Sequence, residues 1–387
     1  MMSNDYNLDI LRSEEVRSAI EQNIECDPAT IALKRGVPSA QVVATQVKYL
    51  QRARRKLPTL YASRCVIPPR AFEQSSSEES AERKPLCGDS CLDLTCGLGI
   101  DTMALAKRFK SVVSIERDEA LAEVVRYNMA LMGIDNVEVV CSSAEEYVDR
   151  CSEQFDWVFV DPDRRSDKGN KMVCMEDCSP NILSLMPRLR EIAKRVAIKL
   201  SPMFDCAEAF RLLSPAEVEV VSIAGECKEL NIYTNAERSL LRIAVIGHGE
   251  WEFAPEDMVV APSTESFEGG GWRYLHIPDV ALQKARVAIA ALRPYASIWS
   301  NNGFAFSHEP ITESVACRNF EIVSIERYRP KELKRRYKGV GVDILKRDTS
   351  LSVDAVRKAI GARAGSEAMV AITTIEGENW VVEIKQI

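Results

Sequence analysis

Two stretches of this sequence hold side chains whose types and spacing suit chemistry on a nucleotide-like ligand. In the first, Asp93 precedes a glycine pair, Gly97 and Gly99, and Glu116 closes the apolar run that follows. Glycines let backbone approach a ligand closely, and an acid at a strand end can grip ribose hydroxyls. A dinucleotide fingerprint would need a third glycine where Thr102 stands, so that reading weakens. In the second, Asp161-Pro162-Asp163-Arg164-Arg165 follows another apolar run. Either carboxylate could orient or deprotonate an acceptor, and the planar fork of Arg164 could stack on a base or hold a phosphate. A salt bridge between Asp163 and Arg165 is the plain structural alternative.

The elements needed to position these residues are readable around them. Cys91 to Asp93 reads as a strand, the glycine pair as a turn, the run to Phe109 as a helix, and the run ending at Glu116 as a second strand. Asp118 can cap a helix whose apolar side holds Leu121, Val124, Val125, Met129 and Met132, with Gly133 ending it. Val137, Val139 and Val140 make a third strand, followed by Ser142, Ser143, Ala144 and Glu145. Phe155 to Val160 makes a fourth strand, and strand and helix alternate as a doubly wound α/β sheet requires. Ala197 to Leu200 continues the sheet. Its edge comprises Val218 to Ile223, Leu230 to Thr234 and Leu240 to Ile246, with the charged Gly225 to Glu229 run expected as a polar connection or an acceptor-site lining.

Asp93, the glycine turn and the acid-terminated strand together resemble class I S-adenosylmethionine (SAM) methyltransferases. The resemblance implies SAM as cofactor, with Gly97 and Gly99 against its methionine part, Glu116 on its ribose, and Asp93 and Thr95 among its binding residues. Ser143 and Ala144 align with the adenine turn, where the family commonly has an acid. Asp161 would lie at the acceptor edge of the cofactor, and Asp161, Asp163 and Arg164 are the candidate catalytic residues. Base-amino methyltransferases often carry Asp-Pro-Pro-aromatic here, so Asp163 and Arg164 depart from that pattern. Pyrimidine C5-methylation needs a cysteine nucleophile, and the strand exit offers only Cys206, four residues beyond Pro202.

The chain has 387 residues and a net charge of −7, which suggests two or three domains and argues against uniform nucleic-acid coating. Its twelve cysteines lack zinc spacing, and the N-terminus has neither a basic region nor an apolar core; cytoplasm with reduced thiols is the expectation. No apolar run approaches a membrane span. Pro28 to Phe72 contains no acid but many bases. Val43, Val47 and Leu50 form a buried stripe after Ser39, a candidate N-cap, while Lys48, Arg52 and Arg55 share another face. That face can be a nucleic-acid footprint, a solvated surface, or one paired with acids. Glu73 to Ser90 reads as a mobile connection.

Beyond Glu250 the pattern becomes small α+β segments rich in bases after Arg318. The run Gly339 to Arg347, the run Ser352 to Lys358, the Asp161 to Arg165 stretch and the Glu226 to Glu229 stretch resemble bacterial class I methyltransferases with a THUMP-like C-terminal domain. That likeness implies an RNA substrate, tRNA or rRNA. The expected fold is an α/β, Rossmann-like methyltransferase sheet with an N-terminal helical region and two small C-terminal α+β domains, ferredoxin-like and THUMP-like. The corresponding limits are 1–80, 81–248, 249–316 and 317–387. A small-molecule methyltransferase and a non-catalytic SAM- or RNA-binding protein are the alternatives.

Overall fold

Five parallel strands carry the acid–glycine stretch: β1 (Gly88–Asp93), β2 (Phe109–Glu116), β3 (Val137–Cys141), β4 (Phe155–Val160) and β5 (Ala193–Leu200). Their spatial order is β5-β4-β1-β2-β3. The chain reverses its direction of travel across the sheet after β3, so β1 and β4 lie side by side at a switch point, where such sheets bind ligands. The computed structural model describes residues 7–164 and 175–387. It divides into two compact units, Met1–Lys199 and Leu200–Ile387.

The turn chemistry explains the elements around β1. Gly99 has φ of 81° and opens the Ile100–Ala106 helix; a Cβ there would also approach Met129 Cε at 3.0 Å. Only glycine suits that combination of left-handed backbone and close packing. Asp118 caps the Glu119–Leu131 helix by accepting from Leu121 N at 3.2 Å, and Ser143 caps Ala144–Arg150 by accepting from Glu146 N at 3.2 Å.

In the N-terminal region, Val43, Val47 and Leu50 on the Ala40–Lys56 helix are fully buried, each worth about 1.5–3 kcal/mol of burial. Ser39 makes no side-chain cap and sits at φ of 46°, so its expected capping role is not met. Several bases from this region are paired: Arg52 with Glu73, Arg54 with Glu25 and Arg64 with Glu21. The expected mobile connection at Glu73 to Ser90 is instead built. It holds the end of the Pro69–Gln74 helix, the Glu78–Glu82 helix and the start of β1. The buried Glu78 carboxylate accepts from Thr59 N at 2.9 Å and Thr59 Oγ1 at 2.7 Å, neutralising the N-terminus of the Pro58–Ala62 helix.

The second unit begins with four strands of mixed direction. Ala216–Ile223 pairs antiparallel with Glu226–Thr234 and parallel with Leu240–Val245, which pairs antiparallel with Gly249–Phe253. The charged run at Glu226 to Glu229 is therefore the start of a strand, and the turn is Ala224-Gly225, with φ of 51° and 78°. Two left-handed residues match hairpin twist. A second sheet has seven strands, mostly antiparallel, in which Cys317–Arg327 pairs with Tyr274–Pro278 on one side and Glu378–Gln386 on the other. The strands expected in two small domains thus share one sheet. The last hairpin turns on Glu376-Gly377, with φ of 55° and 80°.

Candidate cofactor and acceptor cleft

The carboxyl ends of β1, β2 and β4 open onto a cleft of about 950 Å³. Thr95, Gly97, Glu116, Ser143, Ala144 and Asp161 all line it, and so does Asp163. Seven residues predicted from sequence therefore meet at one place. A Cβ on Gly97 would meet no atom within 4 Å, so the turn leaves room for a ligand against its backbone. Glu116 accepts from Gly97 N and Asp118 N, each at 2.9 Å. Burial pushes its carboxyl above the ordinary value, and those N–H groups oppose the rise. This fits a nucleoside ligand: an acid at a strand end for a ribose diol and bare backbone at the turn.

Asp93 is placed differently from its neighbours. It is fully buried and accepts from Thr95 N at 2.9 Å, Thr102 Oγ1 at 2.6 Å and Ser114 Oγ at 3.2 Å. Burial pushes its carboxyl up to about 6. Its hydrogen bonds brace the turn from below, and Thr102, standing where a dinucleotide fold has glycine, is one of the braces. Gly99 likewise lies close to Val125 and Met129 of the Glu119–Leu131 helix.

At the acceptor side, Asp161 N donates to Thr95 Oγ1 at 2.7 Å, tying the end of β4 to the glycine turn. Burial pushes the Asp161 carboxyl above its ordinary value, Lys199 opposes this, and Asp101 adds to it. Asp163 is exposed, and the backbone of Asp163 and Arg164 pairs with Ser179 and Cys178. Only the backbone of Arg164 falls within the described residues; Arg165, and with it the proposed salt bridge, lies outside them.

Charges behind Asp161 complete the site and carry little signal in the sequence. Lys199, at the end of β5, is ion-paired with Asp161 and donates to Ser76 Oγ at 2.8 Å. Ser76 Oγ in turn donates to Asp101 Oδ2 at 2.6 Å, and Asp101 Oδ1 accepts from Lys84 at 2.8 Å. Burial alone would raise the Asp101 carboxyl, but Lys84 and Lys199 hold it well below the carboxylate range. The available signal was one lysine interrupting the apolar run Ala197 to Leu200 at a strand end. The thiols near the sheet are unreactive by comparison. Burial pushes Cys96 and Cys206 up to about 12 and Cys227 up to about 11.

Parallel strands, a switch-point cleft, a braced acid–glycine turn and an acid-terminated β2 define a Rossmann-like enzyme of the nucleoside-cofactor class. The family model for THUMP domain-like sequences matches residues 317–386, and that for conserved hypothetical protein 95 matches residues 74–176. An uncharacterized SAM-dependent methyltransferase of Mycobacterium tuberculosis is 24% identical over 335 residues, covering 82% of this chain and 87% of that protein. A crystal structure from Porphyromonas gingivalis W83, assigned as a methyltransferase, superposes with a TM-score of 0.83 at 25% identity, covering 98% of this chain and 99% of that one. A 23S rRNA (uracil(1939)-C(5))-methyltransferase of Klebsiella pneumoniae is 39% identical over 103 residues, only 26% of this chain and 22% of that protein. The chain is a SAM-dependent methyltransferase with a THUMP-like C-terminal region.

Proposed function

We propose that this enzyme methylates a base in structured RNA, tRNA or rRNA. The carrying observation is the continuity of the cleft from Glu116 to Asp161 and Asp163, which gives donor and acceptor one shared space at the upper end of ordinary ligand-site volumes. Glu116 would hold the ribose, Thr95 and Gly97 the methionine side, and Ser143 and Ala144 the adenine, with Asp93 and Gly99 supporting the turn. The bound cofactor supplies an already activated methyl group. The protein's work is then positioning and desolvation, with Asp161 accepting hydrogen bonds from the methyl acceptor and Asp163 and Arg164 aligning the substrate.

The second unit supplies a cationic surface for the rest of an RNA. Lys331, Lys334, Arg335 and Lys338 on the Pro330–Tyr337 helix, and Lys358 on Val353–Ile360, are exposed, and none enters an ion pair among the described residues. The two helices pack together, and phosphates would compensate these charges. Matches to tRNA/tmRNA and 23S rRNA uracil-C5 methyltransferases support an RNA substrate over part of the chain. Their C5 chemistry transfers less well, because buried Cys96 and Cys206 are held as thiols.

The domain limits follow the same reading: a helical region at 1–80, a methyltransferase domain at 81–248, and segments 249–316 and 317–387 that join in one sheet. Cytoplasm is the proposed compartment. Among the described residues, no helix is long and apolar enough to cross a membrane. The deciding experiment compares modified nucleosides, by mass spectrometry, in RNA from cells with and without the protein. One methylated base should disappear; an unchanged nucleoside profile would favour a small-molecule acceptor and overturn the RNA assignment.

A further inference from the structure

We propose that Lys199 is a positioning residue: its ammonium, anchored on Ser76, holds the Asp161 carboxylate toward the cleft and makes the N-terminal segment a working part of the acceptor site. This rests on the reading of Asp161 as the acceptor-side carboxylate.

The geometry carries the proposal. β4 and β5 are parallel neighbours in register at Val160 and Ile198, so the next residues, Asp161 and Lys199, emerge together at the carboxyl edge. The Lys199 side chain is 12% exposed and that of Asp161 is 35% exposed, so the cation sits behind the carboxylate rather than in front of it. Ser76 accepts from Lys199 at 2.8 Å while donating to Asp101 at 2.6 Å. Lys199 also lies 3.8 Å from Asp101 Oδ2. Two ammonium groups, Lys84 and Lys199, thus compensate two carboxylates, Asp101 and Asp161, with one hydroxyl threading them. Lys56, on the N-terminal helix, adds a further positive charge that repels Lys199. Pro68, Arg70, Gln74 and Ser76 from that same N-terminal segment line the cleft opposite the strand ends. The segment is therefore fixed by the very lysine that fixes Asp161.

The chemical consequence concerns charge. An ionised carboxylate accepts hydrogen bonds from a methyl acceptor; a protonated one offers a donor instead. Burial already favours the protonated form of Asp161, and Asp101 reinforces it, while Lys199 and Lys84 work against it. Removing Lys199 shifts that balance toward protonation and frees the carboxylate to turn.

The test follows the Asp161 carboxyl itself. Protein labelled with 13C at aspartate is titrated by NMR, the Asp161 signal being assigned by its loss in Asp161→Asn. In Lys199→Met the midpoint should rise by roughly one unit or more, a ten-fold gain in proton affinity. In Lys199→Arg it should stay near that of the unaltered protein. An unmoved midpoint in Lys199→Met overturns the proposal. Turnover is read in parallel, as transfer of labelled methyl from SAM to total RNA from cells lacking the protein. Lys199→Met should lose kcat on acidification at a higher pH than the unaltered protein does, in step with the raised midpoint. It should regain rate as pH rises, with KM for SAM unchanged, and Lys199→Arg should be partly active. A rate lowered equally at all pH values would mark a merely structural lysine. No transfer by the unaltered protein, with the midpoint shift intact, would remove the RNA reading and leave the Lys199 role standing. If Lys199→Met does not fold, Ser76→Ala carries the test: it removes the anchor but no charge, and its Asp161 midpoint should also rise; an unmoved one overturns the proposal.

Discussion

Replacing Glu116 by alanine should weaken SAM binding by roughly ten- to a hundred-fold. A carboxylate offers about four lone-pair sites. Gly97 N and Asp118 N, each at 2.9 Å, use two, and the backbone of Arg117 also donates, which leaves about one for a ribose hydroxyl. Hydrogen bonds to a charged acceptor are worth about 1.5–3 kcal/mol, and each 1.4 kcal/mol is ten-fold in Kd. Loss of one such bond to a ribose hydroxyl corresponds to the ten- to hundred-fold range. Titration calorimetry with SAM measures the effect, with circular dichroism as the check on folding. Acidity adds a second arm. Burial sets the Glu116 carboxyl above its ordinary value of 4.5, so protonation removes the acceptor as pH falls through that raised value. Affinity of the unaltered protein should therefore drop on acidification while Glu116→Ala stays flat. A Kd for Glu116→Ala within two-fold of the starting protein, or parallel pH curves for both, would refute the ribose assignment.

Three further outcomes are expected. Asp161→Asn should keep SAM affinity within a few-fold and lose methyl transfer; a variant with normal turnover would exclude Asp161 from the acceptor site. Lys84→Met should destabilise the protein by about 3 kcal/mol in denaturant unfolding, since it removes the cation 2.8 Å from buried Asp101 and leaves Lys199 at 3.8 Å. Asp101 has its carboxyl depressed below 3.8, so its contribution is present above that value and lost as pH falls through the lower folded value. The variant should accordingly unfold at higher pH in acid, and a change under 1 kcal/mol with no acid shift would refute the ledger of charges. The double change Lys334→Glu and Arg335→Glu should weaken tRNA binding and flatten its salt dependence by about one to two in slope; an unchanged slope would place the RNA elsewhere.

What was legible in the sequence was local. β1 to β4 follow from short apolar runs, and the Asp93 to Glu116 unit is continuous enough to announce its own turn, helix and acid. The two-residue reversal at Ala224-Gly225 was hidden because alanine carries no turn signal and the charges of Glu226 and Lys228 look like a loop, although they sit at an exposed strand tip. The Glu73 to Ser90 stretch looked unstructured because its ordering comes from single polar contacts, such as Glu78 with Thr59, rather than from apolar periodicity. Hardest to see was the charge relay behind Asp161. Ser76 and Lys199 are 123 residues apart, and nothing in either neighbourhood advertises the other. Sequence pattern records which face a residue occupies; it does not record which distant partner neutralises it.

The shared seven-stranded sheet changes what counts as a separable piece of this protein. Residues 317–386 match a family model by themselves, yet Cys317–Arg327 is an interior strand, flanked by Tyr274–Pro278 and Glu378–Gln386. A cut after residue 316 would strip one edge of Tyr274–Pro278 and bare the opposite edge of Cys317–Arg327 in the other fragment. Each fragment would then carry an unsatisfied row of backbone donors and acceptors, the template for self-pairing. The inherited unit and the foldable unit have different borders here, and expression of either half alone is a recipe for precipitate.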